Sequence, residues 1–253
     1  MIPVLTPEWS APSAVRAAFS LRSGGASAPP WDTLNVGAHV GDSLASVRVN
    51  RQRLLAALDL PAEPVWLEQV HGVEVHRAGE GARGVDVSDP RPVADAAVTR
   101  AADVVLAVQV ADCLPVLFAS ADGSVLGAAH AGWRGLAAGV LEATVAAMQS
   151  DPAGLHAWLG PCIGPAHFEV GEEVRDAFLR AGDATEAFNL NPRGRWQCDL
   201  PAIARRRLER LGIRSISGGE HCTVADPVRF FSHRRDRQTG RMVALLWRPS
   251  VRV

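Results

Sequence analysis

Between Asp103 and Gly135 the chain reads DVVLAVQVADCLPVLFASADGSVLGAAHAGWRG, and its alternation of apolar runs with polar breaks predicts three strands and the start of a helix. Val104 to Val110 reads as a buried strand and Ala111-Asp112-Cys113 as a sharp break. Leu114 to Ser120 and Val125 to His130 then form a hairpin about Asp122-Gly123. With those two residues as the loop, Ala121 faces Ser124, and counting outward sets His130 opposite Pro115 and Cys113 opposite Gly132. Cys113 and His130 then share a face as diagonal neighbours, roughly 7–8 Å apart at the backbone and within reach of one ion. Pro115 cannot donate to a ladder, which predicts an edge or a bulge there.

The same patterning divides the rest of the chain. Pro3, Pro7 and Pro12 predict a loose start before an edge strand, Val15 to Ser20. Arg22-Ser23-Gly24-Gly25 is a Gly-rich turn whose arginine is a candidate anion ligand, and Trp31 to Asp42 is a loop that must hold a particular shape. Ser43 to Leu58 has a helical apolar stripe, with Ser43 as N-cap and the arginines at 48, 51 and 53 on the wet side. Val65 to Val70 reads as a strand, with Trp66 and Val70 on one face, that delivers Glu68, Gln69 and His71 before Gly72. Ala78 to Pro92 reads as a surface excursion, Asp95 to Thr99 as a return to the core and Gly135 to Gln149 as one helix. Gly132-Trp133-Arg134-Gly135 joins a strand to that helix, so backbone N–H groups and a guanidinium converge there. Further on come a short strand at Ala157 to Leu159 and a rigid turn, Gly160 to Pro165, that places Cys162. Helices follow at Glu169 to Arg180 and Asp199 to Leu211, the latter with Arg205, Arg206 and Arg207 on its solvated face. The cationic turn Ser232 to Arg241 precedes a last strand, Met242 to Trp247, and offers a phosphate clamp.

Composition narrows the chemistry. A chain of 253 residues with no composition break predicts one domain spanning 1–253. Its formal net charge of -1 gives no general attraction to nucleic acid or a membrane surface. No apolar run is long enough to cross a bilayer, and no secretory signal opens the chain, which predicts a cytoplasmic protein. All basic side chains other than histidine are arginine. The absence of lysine excludes Schiff-base catalysis and a P-loop, and the absence of tyrosine excludes tyrosyl chemistry. Cys113, Cys162, Cys198 and Cys222 contain no C-x-x-C pair, which argues against a zinc ribbon or a disulfide framework.

A catalytic zinc takes three protein ligands and leaves one position open, and His71, Cys113 and His130 each fall beside a small or turn residue. The competing reading makes Cys113 or Cys162 a nucleophile activated by histidine, since both chemistries need a thiolate beside imidazole. His71 also fits a plain turn histidine. Cys198 and Cys222 read as structural.

The segments TLNVGAHVGD, WLEQVHG, ADAAVTR, VQVADCLPVLFA, GAAHAGWRGL, GPCIGPAHFEVGEEV and HRRDRQTGR together resemble the laccase-domain family, whose members have been described as multicopper polyphenol oxidases and as purine nucleoside phosphorylases. The resemblance runs from about residue 16 to about residue 247, and VADCLP followed by AHAGWRG is its most specific part. It implies an α+β fold, a layered α/β/β/α sandwich with mixed sheets, and a zinc site at His71, Cys113 and His130. It also implies phosphorolysis of adenosine, inosine, guanosine and methylthioadenosine with inorganic phosphate, and deamination of adenosine. A relationship to cysteine-hydrolase-like domains is a further implication.

Under that resemblance each reaction asks for particular residues. Deamination needs a carboxylate to shuttle the proton, and Asp112 and Glu68 are the candidates. Strand alternation turns Asp112 away from Cys113 unless the break rotates it. Phosphorolysis needs guanidinium groups to hold phosphate against C1′ of the ribose, from among Arg22, Arg134, Arg234 and Arg235, with Asn35 and Gln69 to bond ribose or base. Copper is the alternative metal, for a polyphenol oxidase. A multicopper centre requires roughly ten histidine and cysteine ligands, and the eight histidines here contain no His-x-His pair. A structural, metal-holding protein is a third reading. Ala166, His167 and Phe168 depart from the cysteine and aromatic hydroxyl of many relatives.

Overall fold

The computed structural model of the chain describes residues 2–80, 82, 84, 86–183 and 185–250. Its elements are β1 Val4–Leu5, β2 Arg16–Ser20, α1 Leu44–Ala57, β3 Val75–Ala78, β4 Ala96–Thr99, β5 Leu106–Val110, β6 Leu114–Ser120 and β7 Leu126–Ala131. Then follow α2 Trp133–Ala138, α3 Val140–Met148, β8 Leu155–Leu159, β9 Glu169–Val170, α4 Glu172–Arg180, β10 Phe188–Leu190, β11 Trp196–Cys198, α5 Leu200–Arg210, β12 Ser215–Gly218, α6 His233–Asp236 and β13 Met242–Trp247.

Two sheets form the middle of the molecule. One is antiparallel, in the order β1-β2-β13-β5, and the other is mixed, in the order β12-β8-β6-β7-β4-β3. Period-two alternation sorts their side chains. Leu106, Val108 and Val110 of β5, Met242, Ala244 and Leu246 of β13, Leu117 and Ala119 of β6 and Trp158 of β8 fill the space between the sheets. The opposite face of the first sheet, with Ala107, Val243 and Leu245, packs on Leu54 of α1 and on Trp66. The opposite face of the second, with Val116, Phe118 and Ala157, packs on α3, α4 and α5 through Leu141, Phe178 and Leu208. The layering is therefore α/β/β/α, and the class is α+β. A small third sheet, β10-β11-β9, lies beside α4 and α5.

Several expectations change at this level. β2 lies inside its sheet, because the two residues of β1 cover its outer edge. Pro115 lies in an interior strand where the ladder with β8 stops. The first pair is Val116↔Leu159, so the missing N–H falls outside that ladder. Residues 65–70 are extended but form isolated bridges, Val65↔Leu106 and Glu68↔Val93. Trp66 is buried there while Val70 is exposed. The helix expected over 135–149 starts at Trp133 and is divided by Gly139, whose φ of 102° is a left-handed conformation suited to glycine. Glu169 and Val170 form a strand ahead of α4. Residues 81, 83 and 85 of the surface excursion lie outside the described residues.

Two arginines expected on wet faces are buried. Arg51 lies over the Trp66 ring at 3.8 Å, and its Nε and one terminal nitrogen donate to the Val36 carbonyl. Arg207 of α5 pairs with the buried Asp183 and also donates to the Leu136 carbonyl and Glu142. In both, a periodic sequence pattern cannot distinguish an outward charge from one turned in toward a carbonyl or carboxylate of another element.

Candidate metal centre

The hairpin has the expected register: Pro115 pairs with His130 and Leu114 with Ala131, which sets Cys113 opposite Gly132. The Asp122 carboxylate fixes the turn by accepting from the Ser120 and Ser124 hydroxyls and the Ser124 amide. Cys113 and His130 thereby reach the same end of the inter-sheet face. His71 meets them from the segment that crosses above, with φ of 62°. The donor atoms of His71, Cys113 and His130 all lie within 4.8 Å of one another, with Nε2 of His71 3.7 Å from Sγ of Cys113. The two imidazoles meet edge to face at 4.8 Å between ring centroids.

Asp95, which sequence reasoning gave no role, organises this cluster. One carboxylate oxygen accepts from Nδ1 of His130 at 2.8 Å and from the His71 amide at 2.9 Å. The other accepts from the Val70 and Gly72 amides at 3.1 and 2.6 Å. Satisfying three successive amides holds the 70–72 turn and offsets the left-handed backbone of His71. With Nδ1 donating to Asp95, Nε2 of His130 is the nitrogen that offers a lone pair once the ring is neutral, as metal binding requires. The one available signal was a carboxylate in the apolar run Val93-Ala94-Asp95-Ala96-Ala97-Val98.

The electrostatics follow from these contacts. Burial pushes the Cys113 thiol up, but the neighbouring charge and hydrogen bonds of His130 and His71 outweigh it and bring the group down to about 6. For His130 burial acts downward, while the Cys113 thiolate and Asp95 together raise it to about 9. The cluster thus favours a thiolate at neutral pH. A tetrahedral ion bound at about 2.3 Å to sulfur and about 2.0 Å to nitrogen separates those donors by about 3.5 Å. The 3.7 Å between His71 and Cys113 fits that requirement, and two imidazoles with one thiolate leave a fourth position open. Gly132 is required for the approach, since a Cβ there would lie 2.8 Å from His71 Cδ2 and 3.0 Å from Cys113 Sγ.

Other residues that the sequence nominates are drawn elsewhere. Asp112, with φ of 94°, turns its carboxylate toward the Thr223 hydroxyl and the Arg234 amide, both at 2.6 Å. It ties the break before Cys113 to two distant segments. Arg22 donates to the carbonyls of Asp32 and Pro227 and lies over Phe231, and Arg234 donates to the Glu169 carbonyl. Arg235 donates to the carbonyls of Thr223 and Phe230. Arg134 is exposed and stacks on Trp133. Asn35 spends its amide on Gly37, Asp42 and the Arg241 amide, and Gln69 makes a two-point pair with the backbone of Gln109. Glu68 is exposed. Cys222 lies 3.5 Å from Nδ1 of His167, apart from the three-residue cluster, while burial raises the Cys162 thiol well above its usual range. Among the described residues no helix is long and apolar enough to cross a membrane.

Residues 16–249 match the family described as multi-copper polyphenol oxidoreductase laccase. The chain is 46% identical over 247 residues to the purine nucleoside phosphorylase YfiH of Escherichia coli K12, covering 98% of this chain and 99% of that protein. It is 49% identical over 251 residues to a purine nucleoside phosphorylase of Xylella fastidiosa Temecula1, covering 96% of each. The crystal structure of Neisseria meningitidis protein NMB0706 superposes with a TM-score of 0.90 at 42% identity, covering 98% of this chain and 99% of the other.

Proposed function

Since the chain belongs to the multi-copper polyphenol oxidoreductase laccase family, we propose that it is a zinc-dependent purine nucleoside phosphorylase acting on adenosine, inosine, guanosine and methylthioadenosine, and that it also deaminates adenosine. The observation that carries this reading is the convergence of His71, Cys113 and His130 around one point, with Asp95 behind them. The name borne by relatives that share nearly half of its residues supports the same reading.

His71, Cys113 and His130 would hold the metal. When bound, zinc supplies Lewis acidity and makes nearby water a better nucleophile at neutral pH. Asp95 fixes the tautomer of His130, and the thiolate of Cys113 needs no separate base. Asp112 acts as a positioning residue, because its carboxylate anchors the backbone on which Cys113 stands. In phosphorolysis a phosphate oxygen replaces the purine nitrogen at C1′, so the chain must hold the anion against the sugar and return a proton to the departing base. Asn35 and Gln69 shape the surrounding loops through their internal bonds.

A second reading, copper-dependent oxidation of polyphenols, has the family description in its favour, and two imidazoles with a thiolate also suit copper. Among the described residues one cluster of at least three ligands is found, whereas multicopper chemistry needs several centres. Chromatography of inosine and adenosine incubated with and without inorganic phosphate, alongside Cys113→Ala, separates these readings. Phosphate-dependent release of free base, lost in the variant, is the expected result. Unchanged nucleosides with metal fully loaded would overturn the proposal.

A further inference from the structure

A second contact between a thiol and an imidazole stands where the 160–165 turn meets the 221–223 segment. Cys162 and Cys222 are partners in an isolated parallel bridge. The Cys162 amide donates to the His221 carbonyl at 3.2 Å, and the Thr223 amide donates to the Cys162 carbonyl at 2.9 Å. Residues paired across strands project their side chains to the same face. Neighbouring strands stand about 4.8 Å apart, within the roughly 4.4–6.8 Å between Cα atoms that a disulfide spans. The Cys222 side chain leans over the turn, since a Cβ on Gly164 would lie 3.2 Å from its Cβ and 3.3 Å from its Sγ.

The two thiols differ in access. Cys162 is 1% exposed, whereas Cys222 is half-buried beside the exposed His167. Sγ of Cys222 accepts from the Gly164 amide at 3.2 Å and lies 3.5 Å from Nδ1 of His167. The imidazole is thus in place to take the thiol proton while the amide holds the sulfur. Arg234 steadies this turn by donating to the His167 and Glu169 carbonyls. Sγ of Cys162 contacts the Ile163 carbonyl at 3.5 Å, a weak bond that rotation about Cα–Cβ exchanges for Cys222. A reachable thiol with a base, backed by a buried second thiol, is what oxidation followed by resolution requires.

We propose that Cys222 is a hydroperoxide-reactive thiol and Cys162 its resolving partner, so that the two close to a disulfide. Once His167 has taken its proton, the Cys222 sulfur attacks one peroxide oxygen. The S–O bond forms, the O–O bond breaks and the other oxygen leaves, protonated, as water or an alcohol. The sulfur, now a sulfenic acid, has lost two electrons to the peroxide. Cys162 then attacks that sulfur, the S–S bond forms, and hydroxide leaves with the Cys162 proton as water. Burial and then the field of Cys222 push the Cys162 thiol up, and oxidation of Cys222 to the neutral acid removes the second of these obstacles. The site is independent of the nucleoside reaction, although it adjoins it. The Ile163 amide donates to the Asp112 carbonyl and the Thr223 hydroxyl to the Asp112 carboxylate, so the disulfide joins the two segments that hold the residue before Cys113.

The test treats the full-length, zinc-loaded protein with equimolar hydrogen peroxide at pH 7, alkylates the remaining thiols and maps the unreduced peptides by mass spectrometry. The expected product is a peptide pair linked through Cys162 and Cys222 and separated by dithiothreitol. Cys162→Ser should stop at the sulfenic acid of Cys222, trapped by dimedone, and His167→Gln should slow oxidation of Cys222 at least about tenfold. Thermal unfolding of both variants confirms that they are folded, and the native chain alone decides the linkage. Oxidation of Cys222 in the native chain without a link to Cys162, a link from either residue to Cys113, or Cys222 oxidising no faster than the buried Cys198 overturns the proposal.

Discussion

The Asp95 carboxylate holds His130 through a 2.8 Å hydrogen bond and supports the backbone of His71 with the same oxygen, at 2.9 Å. Two of the three candidate ligands therefore share one anchor. Asp95→Asn is the informative change, because an amide nitrogen in place of the second oxygen would face the N–H groups of Val70 and Gly72. Metal affinity is expected to fall about 10–100-fold, as for other groups that orient a ligand. Competition with a chromogenic chelator measures it, and an affinity equal to that of the native chain would show that the carboxylate does not set the site.

Gly132→Ala separates fold from site. The backbone there, at φ -61° and ψ 155°, suits any residue, but the added methyl would collide with His71 and Cys113. Thermal unfolding of the metal-free variant is expected within a few degrees of the native chain. Metal affinity should drop at least about tenfold. Retention of full affinity would place the ion elsewhere.

Thiol reactivity should follow pH in a particular way. In the metal-free protein, alkylation of Cys113 is expected to be fast at pH 7–8 and to fall as pH drops through about 6. Cys162 and Cys198, both buried and shifted upward, should remain unmodified in the folded state. Because the folded Cys113 thiol lies below its ordinary 9.0, the stabilisation of its thiolate is fully present above that value and lost as pH falls through about 6. His130, raised from 6.5 to about 9, contributes below 6.5 and loses its contribution as pH rises through 9. The pair is strongest between those limits. Peptide mass spectrometry after timed alkylation reads the order, and Cys113 reacting no faster than Cys198 would refute it.

Arg207→Ala should be the most damaging substitution outside the site. It leaves the Asp183 carboxylate buried and stripped of its main partner, with Arg210 the remaining ion-pair partner, and removes one of two donors from the Leu136 carbonyl, which keeps the Gly139 amide. The expected loss is about 3–5 kcal/mol in denaturant unfolding. A loss below about 1 kcal/mol would mean that the network contributes little.

The hairpin register was legible because a two-residue turn fixes every pair beyond it, and the strand and helix patterns around it carried most of the layering. The same register sets Cys113 and His130 on one face from the sequence alone. What could not be read was the use of each polar side chain. Asn35, Gln69 and Arg22, read from the sequence as ligand groups, also make hydrogen bonds within the fold, which no sequence pattern shows. Asp95 was visible as a strand start and not as an anchor, since its four partners come from residues 23 or more positions away. Arg51 and Arg207 were hidden for the same reason: burial is a property of the assembled layers, and a helical period shows only an alternation.

Of the three candidate ligands, His130 stands on the hairpin ladder and Cys113 directly before its first pair, while His71 stands on a turn secured by contacts to the Asp95 side chain. An ion seated there would act as a cross-link between a rigid frame and a movable latch. Removing it should release the latch and leave the frame standing, so faster hydrogen exchange on metal loss is expected at the amides of 70–72 and not along the hairpin. Entry and exit of the ion then become a local event on the His71 side, decoupled from the unfolding of either sheet.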